Sequence, residues 1–221
     1  SLALGSYKRQ TGRFAPTPTG ALHVGNAYSA LLSFISAKAL GGQVILRIDD
    51  LDVRSLPQGC LEGQLHDLAW LGLSFDEGMK EGGERGPYRQ SERSEIYESA
   101  IEYLNQKGLL YPCYCSRKEI ASRAPHAQDE GHVYPRICRP YDPQPLDLEN
   151  LPHQKGRAPT LRLNLKRARA LLNISSTLDF YDECQGPQSF HLEHEVGDFI
   201  VRRRDGLHAY QLTCALDDYQ Q

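Results

Sequence analysis

The sequence predicts an α/β fold with a parallel sheet, and three observations in its first fifty residues carry that expectation. Residues 8–15 form a first buried strand; residues 24–40 place Leu31, Phe34 and Ile35 on one helical face; Val44-Ile-Leu-Arg-Ile48 is a short apolar run between turn residues. Strand, helix and parallel strand in that order make a βαβ unit with a right-handed crossover, and a ligand belongs at the carboxyl ends of its strands.

The turn between the first strand and the helix is Arg13-Phe-Ala-Pro-Thr-Pro-Thr-Gly-Ala-Leu-His-Val-Gly-Asn26. Pro16 and Pro18 keep helix from starting before Gly20 and hold the residues ahead of them extended. Gly20 and Gly25 let a ligand approach the main chain, and the helix behind them offers unpaired N–H groups and a positive dipole end. A strand, a tight turn and a helix N-terminus form a phosphate-binding corner. Gly41-Gly42 stops the helix. After the second strand, Asp49-Asp-Leu-Asp52 puts three carboxylates at the same sheet edge, as Mg²⁺ ligands or as a solvated turn with helix-capping acids.

Farther on, residues 58–71 form an amphipathic helix through Leu61, Leu65 and Leu68, ended by Gly72. The Gly-rich, charged stretch 74–90 is expected to be loop. Ser91 is expected to cap a helix with apolar residues Ile96, Tyr97, Ala100, Ile101 and Leu104, closed by Gly108. A Pro-rich linker spans 140–159, and Leu161-Arg-Leu-Asn-Leu165 alternates as a half-exposed strand. Phe180-Tyr-Asp182 is a further short strand, with a turn at Gly186-Pro187. There is no internal repeat.

The composition is that of a soluble globular chain: 221 residues, 40% hydrophobic and 24% charged, with a net charge of −3. No apolar run is long enough to span a membrane and no signal peptide opens the chain, so a cytoplasmic location is expected. Bulk charge does not mark a nucleic-acid binder, but local charge is basic from Lys155 to Arg169 and at Arg202-Arg203-Arg204.

Of six cysteines, three cluster at Cys113, Cys115 and Cys138. Two thiolates one residue apart can share a tetrahedral ion that a third closes, and the segment between has no core of its own to order it. The competing interpretation is three reduced, partly buried thiols. By ligand chemistry alone, His126 and His132 suit zinc as the fourth donor better than the phenol of Tyr134 does.

These segments together resemble the class I aminoacyl-tRNA synthetases of the glutamyl type. Arg13 to Gly25 fits their first signature, R-F-A-P-[ST]-P-T-G-x-L-H-[IV]-G, with Asn26 in place of the last letter of the general H-I-G-H motif. Arg47 to Asp52 resembles R-I-[ED]-D-x-D, with Asp49 where Glu is usual, and Tyr88 to Arg93 matches the fold-defining Y-R-Q-S-x-R. Cys113, Cys115, Tyr134 and Cys138 follow the C-x-C…Y-x-x-x-C order of the shorter, queuosine-directed branch, which implies Tyr134 as the fourth ligand of one zinc ion. Asp198 to Gly206 resembles a D-F-[VI]-[IL]-x-R-x-D-G element, with Val201 at its fourth position, and Ala209-Tyr-Gln-Leu212, at the next strand, is again similar to that branch rather than to P-T-Y-N-F.

The resemblance implies a Rossmann-like catalytic domain with a small zinc-binding insertion: 8–110 and 141–221 as catalytic parts and 111–140 as the insertion. It implies that Arg13, Phe14, Ala15, Pro16, Thr17, Asp49 and Tyr210 hold glutamate, with Arg13 on a carboxylate and Asp49 on the ammonium. His23, Gly25 and Asn26 would hold ATP, with His23 catalytic through its contact with the phosphates. The implied cofactors are Zn²⁺ and Mg²⁺ with ATP; the partners are ATP, L-glutamate and queuosine-bearing tRNA(Asp), and the enzyme is expected to be a monomer. The expected reaction forms glutamyl-adenylate and transfers glutamate to queuosine in the anticodon. The alternatives are a fragment of an ordinary glutamyl-tRNA synthetase and a synthetase-like protein that binds nucleotide or tRNA without activity. The family's second substrate Arg and its K-[ML]-S-K motif do not occur before Gln221, so the chain is expected to be truncated ahead of them.

Overall fold

A computed structural model of the chain describes residues 11–123, 133–154 and 156–221. Two compact units divide the chain: Ser1–Glu95 with Cys214–Gln221, and Ile96–Thr213.

The first unit contains the expected βαβ. Strand β1 (Thr11–Phe14) lies parallel to β2 (Gln43–Leu46), with helix α1 (Val24–Ala39) between them in sequence. Residues 8–10 of the expected first strand lie outside the described residues. Of the helix face that periodicity suggested, only Phe34 packs on the core; Ala30 and Ala37 are buried beside it, while Leu31 and Ile35 are 43% and 53% exposed. The reason lies in β1. A side chain on Gly12 would meet Ala37 Cβ and the Ser33 carbonyl at 2.9 Å, so α1 rests directly on strand backbone and only small residues fit beneath it. Ser33 Oγ donates to the Arg13 carbonyl at 2.9 Å across the same contact.

Helix α2 (Cys60–Trp70) forms as expected. Leu68 is buried with Phe14, Ala30, Leu46, Ile48 and Leu73, and Leu61 and Leu65 pack at its edge. Each such aliphatic group contributes about 1.5–3 kcal/mol by leaving water. Gly72, at φ 77°, ends the helix in a conformation that other residues adopt only under strain.

The stretch expected to be loop contains a third strand, β3 (Glu77–Gly78), parallel to β2 in the order β1-β2-β3. Two residues are too few to leave a period-2 signature. Beside it, Tyr88 donates to Glu77, and burial together with that carboxylate pushes the phenol up to about 12. Ser91 caps no helix. Its N–H and hydroxyl both go to the Asp50 carboxylate at 2.9 Å, and helix α3 (Ser94–Gln106) starts three residues later. A buried carboxylate outcompeted the local cap.

In the second unit, β4 (Leu110–Cys113), β5 (Thr160–Leu163) and β8 (Ile200–Arg202) form an antiparallel sheet in that order. Between them lie helices α4 (Arg117–Ala121) and α5 (Leu165–Leu172) and a hairpin of β6 (Thr177–Asp182) and β7 (Gly186–His191). Gly186-Pro187 opens β7 rather than making the turn. Strand β5 is not half-exposed: Leu161, Arg162 and Leu163 are all buried. Asp198 explains this. Its carboxylate receives Tyr111 at 2.7 Å, Arg139 through two bonds of 2.6 Å and the Leu165 N–H at 3.0 Å, while its carbonyl receives Arg162 at 2.7 Å. The aspartate of the D-F element thus ties β4, β5 and the following helix together.

The last element corrects another expectation. Ala209-Tyr-Gln-Leu212 is not a strand; Tyr210 opens helix α6 (Tyr210–Gln220). No helix among the described residues is long and apolar enough to cross a membrane.

Candidate active site and metal centre

In the first unit, the signature loop runs beside the chain that leaves β2. The Arg47 N–H donates to the Phe14 carbonyl, and the Asp49 N–H donates to the Pro16 carbonyl, each at 3.0 Å. Parallel pairing therefore continues past both strands and sets the loop at their carboxyl edge. Gln64 of α2 holds it from the other side, donating to the carbonyls of Gly20 at 2.7 Å and Thr17 at 3.3 Å. Nothing local in the sequence marked Gln64 as a residue that shapes this loop.

The loop encloses a recess of about 360 Å³ lined by Phe14, Ala15, Pro16, Thr17, Gly20, His23 and Asn26, with Gln64 in its wall. Residues expected on the glutamate side and on the ATP side therefore share one hollow. The Phe14 side chain belongs to the core, so its contribution at the recess is main chain.

His23 is the N-cap of α1. Its Nδ1 accepts the Gly25 N–H at 3.1 Å, and Asn26 Oδ1 accepts the His23 N–H at 3.3 Å, a reciprocal capping box. In the neutral ring the proton then sits on Nε2, so the imidazole presents one donor. Gly25 has a cause different from ligand approach: a side chain there would meet His23 Cε1 at 2.9 Å. It is small so that the imidazole can fold over the helix start.

Arg13 and Asp49 are not in that recess. Arg13 makes a two-pronged pair with Asp218 of α6, at 3.1 and 2.7 Å, beside a second hollow lined by Thr11, Tyr219 and Gln221. Arg47 is fully buried. It donates to Asp49 at 2.7 Å and to Asp218 at 2.8 Å, and Asp217 lies 3.7 Å away. Asp217 is also buried and takes Arg93 at 2.7 Å and Gln90 at 2.9 Å. Burial would raise the Asp218 carboxyl, but hydrogen bonds from Arg47 and Arg13 outweigh it and hold it below the usual carboxylate range. Burial pushes the Asp49 carboxyl up against the pull of Arg47.

Neither role offered for the acidic turn from composition holds for its first two members. Asp49 and Asp50 are buried, the latter paired with Arg89 at 2.7 Å, so they are neither a solvated turn nor open metal ligands. Arg89, Gln90, Ser91 and Arg93 thus spend the Y-R-Q-S-x-R segment on buried carboxylates, which is the fold-defining role expected of it.

In the second unit, Tyr210 is 60% exposed at the start of α6. The Sγ atoms of Cys113, Cys115 and Cys138 lie within 4.8 Å of one another, a group that could hold a metal ion. The Tyr134 oxygen is 3.2 Å from Cys113 Sγ and 3.8 Å from Cys115 Sγ, and accepts the Cys138 N–H at 2.9 Å. Tetrahedral zinc with sulfur at ~2.3 Å needs ligand atoms about 3.8 Å apart, so these four donors fit it. Burial opposes ionisation of Cys113, yet hydrogen bonds with Tyr134 and Arg162 hold its thiol below the ordinary value. Burial and Cys138 push Cys115 up to about 11. His126 and His132, the other candidate donors, lie outside the described residues.

Next to the cysteines is a hollow of about 430 Å³ lined by Arg117, Thr160, Arg162, Arg203 and Arg204, with one acid, Asp205, paired to Arg203 at 2.5 Å. Arg204 donates to the carbonyls of Ala158 and Cys115, at 2.8 and 3.3 Å. Arg202 instead turns to Glu98, which also pairs with His208 at 2.9 Å. Of the expected basic runs, Arg162 is buried in β5, and Lys155 lies outside the described residues.

A family model for tRNA synthetases class I (E and Q), catalytic domain, matches residues 10–221. Two proteins named glutamyl-Q tRNA(Asp) synthetase are similar over 211 residues, 94% of this chain and 61% of each relative. That of Symbiobacterium thermophilum is 44% identical and that of Nitratidesulfovibrio vulgaris 40%. The glutamate–tRNA ligase of Bacillus subtilis is 37% identical over 94% of this chain and 41% of its own. A solved glutamate tRNA ligase from Elizabethkingia meningosepticum, in complex with its amino acid, superposes with a TM-score of 0.72 at 26% identity. That match covers 96% of this chain and 42% of the other. The chain thus spans 61% of the length of the glutamyl-Q relatives and less of the longer ligases.

Proposed function

The chain belongs to the class I tRNA synthetases (E and Q), as their catalytic domain, and we propose that the complete gene product activates glutamate with ATP and transfers it to queuosine in the anticodon of tRNA(Asp). A glutamate carboxylate oxygen attacks the α-phosphorus of ATP, the bond to the leaving phosphate breaks, and pyrophosphate departs from glutamyl-adenylate. The protein positions the reactants and stabilises phosphate charge, which is most of what such a transfer needs. The observation that carries the reading is the recess at the α1 N-terminus, where Ala15, Pro16 and Thr17 face His23 and Asn26. In this reading Gly25 and Asn26 shape the ATP side, and Arg13, Asp49 and Tyr210 hold glutamate.

The choice of RNA follows the two glutamyl-Q relatives and the Tyr134-x-x-x-Cys138 and Ala209-Tyr-Gln-Leu212 segments. The basic hollow lined by Arg117, Arg203 and Arg204 suits RNA phosphates. An enzyme with such a partner works in the cytoplasm, and one chain, organised as 8–110 and 141–221 around a 111–140 insertion, suffices for the site. Offered tRNA(Glu), queuosine-bearing tRNA(Asp) and tRNA(Asp) without queuosine, the complete gene product should attach glutamate to the second alone. Charging of tRNA(Glu) at its 3′ end would replace this reading with an ordinary glutamyl-tRNA synthetase. Absence of glutamate-dependent ATP–pyrophosphate exchange, with or without tRNA, would leave a binding protein.

The metal in this reading is zinc, held by Cys113, Cys115, Cys138 and Tyr134, and its work is to order a segment without a core of its own. Mg²⁺ arrives with ATP. Elemental analysis should find about one zinc per chain, lost in Cys115→Ser with local rather than global unfolding. Protein purified without chelator and free of zinc would refute this. If Tyr134→Phe keeps its zinc while His132→Ala releases it, the fourth ligand is the histidine.

A further inference from the structure

Arg162 is buried in β5 without a carboxylate partner among the described residues. One terminal nitrogen donates to the Asp198 carbonyl at 2.7 Å, but among the described residues its buried Nε has no hydrogen-bond partner. The nearby Asp198 carboxylate is taken up by Arg139, Tyr111 and the Leu165 N–H. The guanidinium instead lies 3.7 Å from the centre of the Tyr134 ring. A buried cation normally demands an anion beside it, and a ring face answers that demand only in part.

Among the described residues, Asp205 shares the wall of the neighbouring hollow with Arg162 but pairs with Arg203 at 2.5 Å. The negative charge beside the stacked ring is that of the cysteine cluster Tyr134 joins, with its three Sγ atoms within 4.8 Å. Three thiolates around a divalent ion leave the centre one unit negative before Tyr134 is counted. With Cys113 buried and Cys115 and Cys138 half-buried, such a centre gains from a cation beside it as the guanidinium gains from an anion.

We infer that Arg162 is the counter-charge of the metal centre, a positioning residue that packs under Tyr134, neutralises the thiolate-rich site and so tightens its hold on the ion. The inference rests on the proposed zinc site. It also accounts for a basic residue at a strand position whose two neighbours, Leu161 and Leu163, are core.

The test is zinc affinity by chelator competition on the complete gene product, for wild type, Arg162→Gln and Arg162→Lys, with circular dichroism as a check on folding. Gln keeps an amide donor on the same side of β5 and removes the charge, and Lys controls for the shortened, unstacked side chain. The Gln variant should bind zinc about 10–100-fold more weakly, the usual effect of losing a group that supports metal ligands. Lys, which keeps the charge, should recover most of that loss, and the ligand-field spectrum of the cobalt-substituted protein should shift in Gln but not in Lys. Equal affinity of Gln and wild type overturns the inference and leaves the zinc site standing. So does a loss in Lys as large as in Gln, which would mark lost packing rather than lost charge. Wild-type protein that takes up no zinc overturns both.

Discussion

Replacing His23 with Ala in the complete gene product should lower the kcat of glutamate-dependent ATP–pyrophosphate exchange by about 10²–10³-fold, with the KM for ATP changed much less. The structural basis is the bond from the Gly25 N–H to His23 Nδ1, 3.1 Å long, which leaves Nε2–H as the donor the ring presents. That donor sits at the start of α1, where the helix dipole adds to it. In the proposed reaction, charge on the phosphates grows as the bond to pyrophosphate breaks, so a contact from His23 would strengthen in the transition state and act on kcat. Alanine also removes an N-cap, worth about 1 kcal/mol of stability. Asn at the same position separates the effects: it can cap the helix but does not extend as far into the recess. His23→Asn should recover thermal stability without recovering rate. A rate restored by Asn, or an effect confined to KM, would remove the phosphate role from His23.

Replacing Asp217 with Ala should destabilise the first unit by about 3–5 kcal/mol in chemical denaturation, the usual result of breaking one side of a buried charge network. Asp217 has no exposed surface and receives Arg93 at 2.7 Å, while Arg47, equally buried, lies 3.7 Å away. Its removal leaves Arg93 without its carboxylate and Arg47 dependent on Asp49 and Asp218. Asn should cost less than Ala, because it keeps an acceptor for Arg93 and a partner for Gln90. A loss below about 1 kcal/mol for Ala, the range of an exposed ion pair, would mean that the network does not hold this unit together. Arg47, which pairs with Asp49, rests on Asp217 and Asp218, so in the proposed reading the same variant should also disturb glutamate use.

The sequence by itself determined the order strand, helix, strand; the loop of Pro16, Pro18 and Gly20 at the carboxyl edge; and the grouping of Cys113, Cys115 and Cys138. Those features are local, or rest on residue types with narrow chemistry. Prolines are kept out of helix interiors, a glycine just past a helix ends it, and thiols one residue apart point to few uses besides a metal.

Tertiary structure alone decided which groups meet. Asp217 and Asp218, from the far end of the chain, close over Arg47, Arg93 and Arg13; Arg162 lies under Tyr134; and Gln64 braces the signature loop. A charged residue in a single sequence looks like surface, and nothing in its neighbours tells which distant partner will repay its burial. Packing likewise shifted the inward face of α1: the approach to Gly12 brings Ser33 and Ala37 onto the strand, Phe34 stays on the core, and Leu31 and Ile35 are left outside. At Ala209-Tyr-Gln-Leu212, four residues are too short to carry a period of their own, and the helix running on to Gln220 decided their state. Local patterns set where elements begin and end; the pairing of buried charges is set by distances that exist only once the chain has folded.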